Sequence, residues 1–303
     1  MNDMNIVKAD LNLLKVFEAL YEEGSASRAA IRLHVTQSAV SASLARLREL
    51  YGEPLFQRTG HGLAPTLLAN QLKPVVTDAL NRFRQSLSMV SPLADSYEGR
   101  SVIIGLSDDF EIAIGARLIR IMAELAPKLR LIFRQTHSQI VSTALMERQI
   151  DIALTSGGFT SRALSREWVG EGEYACLIDP ECHALDGGMD LAHFVASDHI
   201  LISSGGFIGI VDEALAEVGL KRNIAASTTH FAALPYLLQG TPAIATIPAH
   251  AARVIARHGG LRMLPCPVAL SRYPIEVGWR TTGSFDKIEI KVKGAIEACF
   301  RQP

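Results

Sequence analysis

Residues 24–50, GSASRAAIRLHVTQSAVSASLARLREL, constrain this chain more than any other stretch. They contain two short helical patterns joined by a tight break. The first sets Ala29, Ala30 and Leu33 on one side, and the second, opened by Thr36 as its N-cap, sets Val40, Leu44 and Leu47 at helical spacing. Those apolar residues predict an inward face. The other side of the second helix carries Gln37 in its first turn, then Ser38, Ser41, Ala42 and Ala45, with Arg46 and Arg48 further along. A helix so small and polar on its free side can lie close against something large, and in a helix-turn-helix that something is the DNA major groove. Gln and Ser supply donors and acceptors for base edges, and Arg supplies phosphate contacts. The competing interpretation is a helix hairpin in an all-helical domain whose Ser and Ala are merely solvated.

The flanks favour the first interpretation. From Asp10 to Tyr21, Leu13, Leu14, Phe17, Leu20 and Tyr21 form one stripe, with Asp10 as cap and Gly24 as stop. After the hairpin, Gly52 and Pro54 break the pattern, and residues 57–63, QRTGHGL, read as a basic turn between short strands, the composition of a wing. Such a wing can press Arg58, and His61 beside it, onto the DNA backbone or into the minor groove. Between Thr66 and Val90 the residues Leu68, Leu72, Val76, Ala79, Leu80, Phe83, Leu87 and Val90 recur at spacings of three and four, predicting a helix with one apolar seam suited to its own copy. Pro74 predicts a kink or a late start there.

With 48% hydrophobic and 20% charged residues, the composition is that of a globular protein, and the formal net charge of −1 offers no global case for nucleic acid. Locally the balance differs: from Ser25 to Val90 eight basic residues (Arg28, Arg32, Arg46, Arg48, Arg58, Lys73, Arg82, Arg84) face three acidic ones (Glu49, Glu53, Asp78), a surplus of +5 where phosphate contacts would be wanted. Cys176, Cys182, Cys266 and Cys299 are scattered without a C-x-x-C pair, so no disulfide framework is expected and a reducing cytoplasm fits. No run of about 18 apolar residues and no leader-like start occurs, so neither membrane nor export is expected.

Residues 91–99 are polar and turn-rich, a hinge between modules. Beyond them strands and helices alternate. Strands are expected at 102–106, 129–134 and 150–155, with helices at 112–125 and 139–148; the chain leaves this lobe around 168–176. A second alternation places strands at 200–202, 223–227 and 243–247 and helices at 208–218, 231–238 and 248–258, before a strand at 273–279 and a terminal helix ending near Phe300 return to the first lobe. The expected class is α/β, with two lobes of mostly parallel sheet and a ligand cleft beyond the carboxyl ends of the strands.

The segment DLNLLKVFEALYEEGSASRAAIRLHVTQSAVSASLARLRELYGEPLFQRTGHGLAPT resembles the DNA-binding domain of LysR-type transcriptional regulators. Its DLNLL opening, the RLR of the second helix and the PT after the wing resemble the nodulation and aromatic-degradation regulators that respond to salicylate or nitroaromatic compounds. The likeness continues through SSGGFIGIVDEALAEVGLKR, THFAALPYLLQGTPAIATIP and Val277-Gly278-Trp279. It implies a winged helix-turn-helix over 1–65, a dimerising linker helix over 66–90, the hinge at 91–99, and a two-lobed, periplasmic-binding-protein-like effector domain. Lobe 1 would comprise 100–170 and 268–303, and lobe 2 would comprise 171–267. The implied partners are double-stranded promoter DNA, a small aromatic or carboxylate effector, RNA polymerase, and copies of the chain in a homodimer or homotetramer, with no cofactor, metal or catalytic residue.

By position, the resemblance assigns DNA contacts to Thr36, Gln37, Ser38, Ser41, Ala42, Arg46 and Arg58. Effector contacts fall on Ser107, Asp108, Thr136, His137, Ser138, Thr155 and Ser156 from one lobe, and on Ser203, Ser204, His230, Phe231 and Thr246 from the other. Gly205-Gly206 before a helix would offer N–H groups to an anion. Two departures are visible: relatives often carry Arg where this chain has Ala42, and they follow the Trp of the last strand with His and a later WLR motif, whereas Trp279 precedes Arg280 and no WLR follows. An enzyme built on the same lobes is the alternative, but no Walker A, G-x-S-x-G, H-E-x-x-H or spaced Cys/His set is present. A solute-binding protein shares the cleft and calls for an export signal.

Overall fold

A computed structural model describes residues 10–60, 62–88, 97, 100–183, 188–203, 205–281 and 287–301. The chain divides into two compact units, one ending at Asp95 and the other beginning at Ser96.

In the first unit, local signals set each helix boundary. The Asp10 carboxylate accepts the Asn12 N–H at 2.9 Å at the start of α1 (Asn12–Glu23), and Gly24 ends it at φ +59°. Ser25 caps α2 (Ala26–Leu33), which stops at His34 in the left-handed conformation. Thr36 Oγ1 accepts the Ala39 N–H at 3.2 Å to open α3 (Gln37–Tyr51), closed by Gly52. Phe17, Leu20, Ala29, Val40 and Leu47 meet in the core, and Leu33 and Leu44 pack on its edge. A hairpin follows, β1 (Phe56–Thr59) against β2 (Gly62–Pro65), with Phe56 in the core. Leu63 N–H bonds the Gly24 carbonyl at 2.8 Å, so the hairpin is pinned to the end of α1. At Gly62, φ is +137° and a Cβ would lie 2.4 Å from that carbonyl, so the approach needs glycine.

α4 (Leu67–Ser88) begins well before Pro74 and runs past it. Of the kink or late start expected at Pro74, the late start does not occur. Thr66 caps the first turn through Ala69 N–H, and Ala69, Val76 and Leu80 are buried in the unit's core, which offsets the donor lost at proline. Part of the expected seam thus packs inside its own unit. Leu67, Val75, Ala79 and Phe83 remain exposed, while Leu87 lies among side chains not described and Val90 lies outside the described residues. The local positive surplus also shrinks. Lys73 pairs with Glu22 at 2.8 Å and Glu18 at 3.7 Å, and Arg32 pairs with Glu22 at 2.6 Å and Glu23 at 3.2 Å, tying α4 and α2 to α1. Burial alone would raise the Glu22 carboxyl, but the Lys73 and Arg32 charges hold it below its ordinary range.

In the second unit, β3 (Ser101–Leu106) lies between β4 (Arg130–Gln135) and β5 (Ile152–Thr155), all parallel; β12 (Tyr273–Arg280) runs antiparallel between β5 and β6 (Leu164–Gly172). α5 (Asp108–Leu125) and α11 (Lys287–Arg301) cover this sheet through Leu118, Ile288, Val292 and Ile296, and α6 (Val141–Met146) packs near β5. A second sheet sets β7 (Tyr174–Ile178) between β10 (Ala245–Pro248) and β11 (Arg262–Pro265), antiparallel to both. β8 (Asp198–Ile202) pairs in parallel with β9 (Asn223–Thr228) and joins β10 by one bridge, His199 to Ile244. One side of this second sheet holds α9 (Leu234–Leu238) and α10 (Ala249–Gly259), and the other α7 (Leu191–Ala196) and α8 (Ile210–Glu217).

Neither sheet is mostly parallel in the way expected: the first is mixed, because β12 and β6 add antiparallel strands to it, and β10–β7–β11 is antiparallel throughout, with the parallel β8–β9 pair attached by one bridge. β6, β7, β11 and α7 were not expected. α5 starts at Asp108, ahead of the expected 112, since its acidic first turn, Asp108, Asp109 and Glu111, suits the positive end of a helix. Of the expected hinge, Tyr97 is buried in the first lobe's core, with Lys291 Nζ 5.0 Å from its ring; the rest lies outside the described residues.

Candidate nucleic-acid interface and effector site

α3 turns its apolar stripe inward and its small polar side outward. Thr36, Gln37, Ser38, Ser41, Ala42, Ala45, Arg46 and Arg48 are all exposed. Thr36 Oγ1 and Ser38 Oγ lie 2.9 Å apart, so these two order one another at the helix start. Among the described residues Gln37 and Ser41 make no side-chain hydrogen bond, which leaves their donors and acceptors for an outside partner. Arg58 is exposed on β1, opposite Leu63 in the hairpin; His61 lies outside the described residues. Exposed Ile31 and Val35 flank the α2–α3 turn and were not singled out from the sequence.

The lobe-1 effector candidates gather at the carboxyl ends of three neighbouring strands: Ser107 after β3, Thr136 to Ser138 after β4, and Thr155 with Ser156 at β5. Their exposures differ. Thr136 and Thr155 are buried, and Thr155 Oγ1 donates to the Gly157 carbonyl at 2.6 Å, so its hydroxyl is spent on its own turn. His137 and Ser156 are exposed, and Ser138 is half-buried. In lobe 2, Ser203 follows β8 and His230 follows β9, at ends of adjacent parallel strands. Ser203 Oγ donates to the Gly205 carbonyl at 2.8 Å and receives the Gly205 N–H at 3.2 Å. His230 is exposed, and Phe231 packs half-buried against the lobe-2 core. Ser204 lies outside the described residues. Thr246 turns to the opposite side of the sheet, its hydroxyl 3.5 Å from Cys176 Sγ.

The two sets meet at α5. Asp108 Oδ2 accepts the Phe231 N–H at 2.8 Å, and the Ala232 N–H also points to this carboxylate. Burial pushes the Asp108 carboxyl up and the Asp109 charge adds to this, while the two N–H groups pull the other way. Next to it, Asp109 Oδ2 lies 2.9 Å from His250 Nε2, the Ser107 hydroxyl donates to Asp109, and the Phe110 ring stacks on His250 at 4.6 Å. The start of α5 is therefore a contact between lobes. His250 was not singled out from the sequence.

At the expected anion cradle, Gly205-Gly206, the Gly205 N–H is already taken by Ser203 Oγ, and the start of α8 beyond it is capped from within. Asp212 Oδ2 accepts the Gly209 N–H at 2.8 Å, and Arg222, buried, pairs with Asp212 through Nε at 2.8 Å and Nη2 at 2.9 Å. Buried His199 donates from Nε2 to the Phe194 carbonyl at 2.7 Å and faces Arg222 with Nδ1 at 3.4 Å. Burial, with the Arg222 charge, lowers its pKa to about 4. Arg280, at the end of β12, donates to the Leu145 and Ile150 carbonyls, each at 2.8 Å, and so locks β12 to the α6–β5 connection.

Two family descriptions match: "Bacterial regulatory helix-turn-helix protein, lysR family" over residues 11–69, and "LysR substrate binding domain" over residues 96–284. The HTH-type transcriptional activator NahR of Pseudomonas putida is 32% identical over 91% of this chain and 92% of its own. Nodulation protein D 3 of Mesorhizobium japonicum is 27% identical over 93% and 94%. Among solved structures, a probable transcriptional regulator from Pseudomonas aeruginosa superposes with a TM-score of 0.73 and 26% identity, over 96% of this chain and 97% of its own.

Proposed function

The chain belongs to the LysR family of bacterial transcriptional regulators, with a helix-turn-helix and an effector-binding domain, and from that premise we propose how this member works. It binds dyad promoter DNA as an oligomer, setting α3 of each copy in a major groove and the β1–β2 wing on the flanking backbone. The observation that carries this is the outward side of α3: Gln37, Ser38, Ser41 and Ala42 are exposed and small enough for close approach, with Arg46 and Arg58 at the margins. Copies pair through the residues of α4 that its own unit leaves exposed, Leu67, Val75, Ala79 and Phe83. Pairing sets two recognition helices about 34–36 Å apart, one turn of duplex.

A small aromatic or carboxylate effector binds between the lobes, near exposed His137, Ser156 and His230 and the half-buried Phe231 and Ser203. A carboxylate there competes with Asp108 for the Phe231 and Ala232 N–H groups, so binding shifts the balance between lobe arrangements and, through it, the spacing of the DNA-bound units. The same reading places the protein in the cytoplasm, acting on RNA polymerase at the promoter. Fluorescence anisotropy of the full chain with DNA upstream of its own gene, across a salt series, tests the DNA claim. The expected result is binding that weakens steeply with salt; no salt-dependent binding, with or without aromatic acids, removes it.

A further inference from the structure

Cysteines far apart in sequence come together in the second lobe. In the β7–β11 pair, Cys176 stands opposite Leu264, and Cys266 follows two residues later on the same side, diagonal to Cys176. The two thiols lie near enough for each to perturb the other, and Thr246 Oγ1 lies 3.5 Å from Cys176 Sγ on the neighbouring strand. Both cysteines are unbridged; Cys176 is buried and Cys266 half-buried. Among the described residues no group of three His, Cys, Asp or Glu side chains is placed to hold a metal ion, so what this pair offers is dithiol chemistry.

The location gives that chemistry leverage. β6 passes to β7 through Glu173, and β11 passes to β12 through residues 266–272; these are the two crossings between lobes. β7 brings Cys176 in just after the first crossing, and Cys266 opens the second.

We propose that Cys176 and Cys266 form a redox-responsive pair that closes to an intramolecular disulfide on two-electron oxidation by a hydroperoxide, tying together the strands by which the chain enters and leaves lobe 2. Cys266 reacts first. Its thiol is lowered to about 7 by the neighbouring Cys176 thiol, against burial, with the Val268 N–H, Arg222 and Thr246 adding, whereas Cys176 is pushed up. The Cys266 thiolate attacks the hydroperoxide, the O–O bond breaks, and a sulfenic acid forms with release of an alcohol, or of water from hydrogen peroxide. The Cys176 sulfur then attacks the Cys266 sulfur. Its S–O bond breaks, and hydroxide leaves with the Cys176 proton as water. Two thiols are oxidised, one hydroperoxide is reduced, and a dithiol reductant reverses the bond.

Cys182 and Cys299 are internal controls, since burial raises both thiols, Asp179 adding to the effect at Cys182. The experiment treats reduced full-length protein with stepwise hydrogen peroxide, blocks remaining thiols with N-ethylmaleimide, and maps peptides without reduction. The expected result is a Cys176–Cys266 linked peptide, loss of two of the four thiols, and full recovery with dithiothreitol. Cys176→Ser should leave a Cys266 sulfenic acid that dimedone traps. The proposal is overturned if Cys266 advances to sulfinic acid without linking, if it links to Cys182 or to a second copy, or if all four thiols persist in peroxide.

Discussion

α3 and α5 each begin after a hydroxyl residue, and they put their first turns to opposite uses. Thr36 caps its own helix, and the residues that follow, Gln37, Ser38 and Ser41, face solvent. Ser107 instead donates its hydroxyl to Asp109, and Asp108, Asp109 and Phe110 reach across to Phe231 and His250 of the other lobe. One helix keeps its polar groups for an outside partner; the other satisfies them inside. The lesson is that the polar atoms of α3 are left open to an outside partner, whereas those of α5 are spent on the contact between lobes.

The largest expected effect separates the inner side of α3 from its outer side. Leu47 is fully buried, so Leu47→Ala should destabilise the first unit by about 2–5 kcal/mol and abolish DNA binding with it. Urea unfolding read by circular dichroism checks this, and a loss below about 1 kcal/mol would mean that the core described for α3 is wrong.

Next comes a pH effect confined to the second unit. His199 has its pKa depressed to about 4 from 6.5, so the unfolded chain takes up that proton first as pH falls. Its contribution is whole above pH 6.5 and is lost toward about 4, at most about 3 kcal/mol. Comparing unfolding at neutral and mildly acid pH, His199→Gln should show a shallower decline than wild type; an unchanged decline would assign the acid sensitivity elsewhere.

A smaller effect probes the lobe contact itself. Asp108→Asn keeps an acceptor but loses the charge that favours the Phe231 and Ala232 N–H groups, a weakening of roughly 1 kcal/mol. Hydrogen exchange should speed at these two amides. Unaltered exchange there would show that Asp108 does not hold the lobes together.

How much of this was legible in the sequence follows the same division. In the first unit, the caps Asp10, Thr36 and Gly24 and the stripe Val40, Leu44, Leu47 lie within a helical turn or two of what they organise, so local pattern suffices. What it hid was pairing by charge: Arg32 and Lys73 count toward the local basic surplus and are held by Glu18, Glu22 and Glu23. In the second unit the decisive contacts are distant. Asp108 meets Phe231 across 123 positions and Asp109 meets His250 across 141, and no spacing rule connects such residues. β6, LSREWVGEG, was missed because its charged residues and glycines mask the alternation of a sheet-edge strand. The cysteines read as scattered for the same reason, since only strand pairing brings Cys176 beside Cys266.

The smallest change in stability carries the most direct test of the central claim, that the outer side of α3 reads DNA. Ser41→Arg and Arg58→Ala are both surface substitutions and should shift stability by less than about 0.5 kcal/mol. Each is to be measured by selecting bound sequences from a randomised pool, alongside affinity for the upstream site. The account predicts that Ser41→Arg changes which sequences are recovered, while Arg58→Ala recovers the same sequences with uniformly weaker binding. Indistinguishable profiles from the two variants, or no change from either, would contradict it.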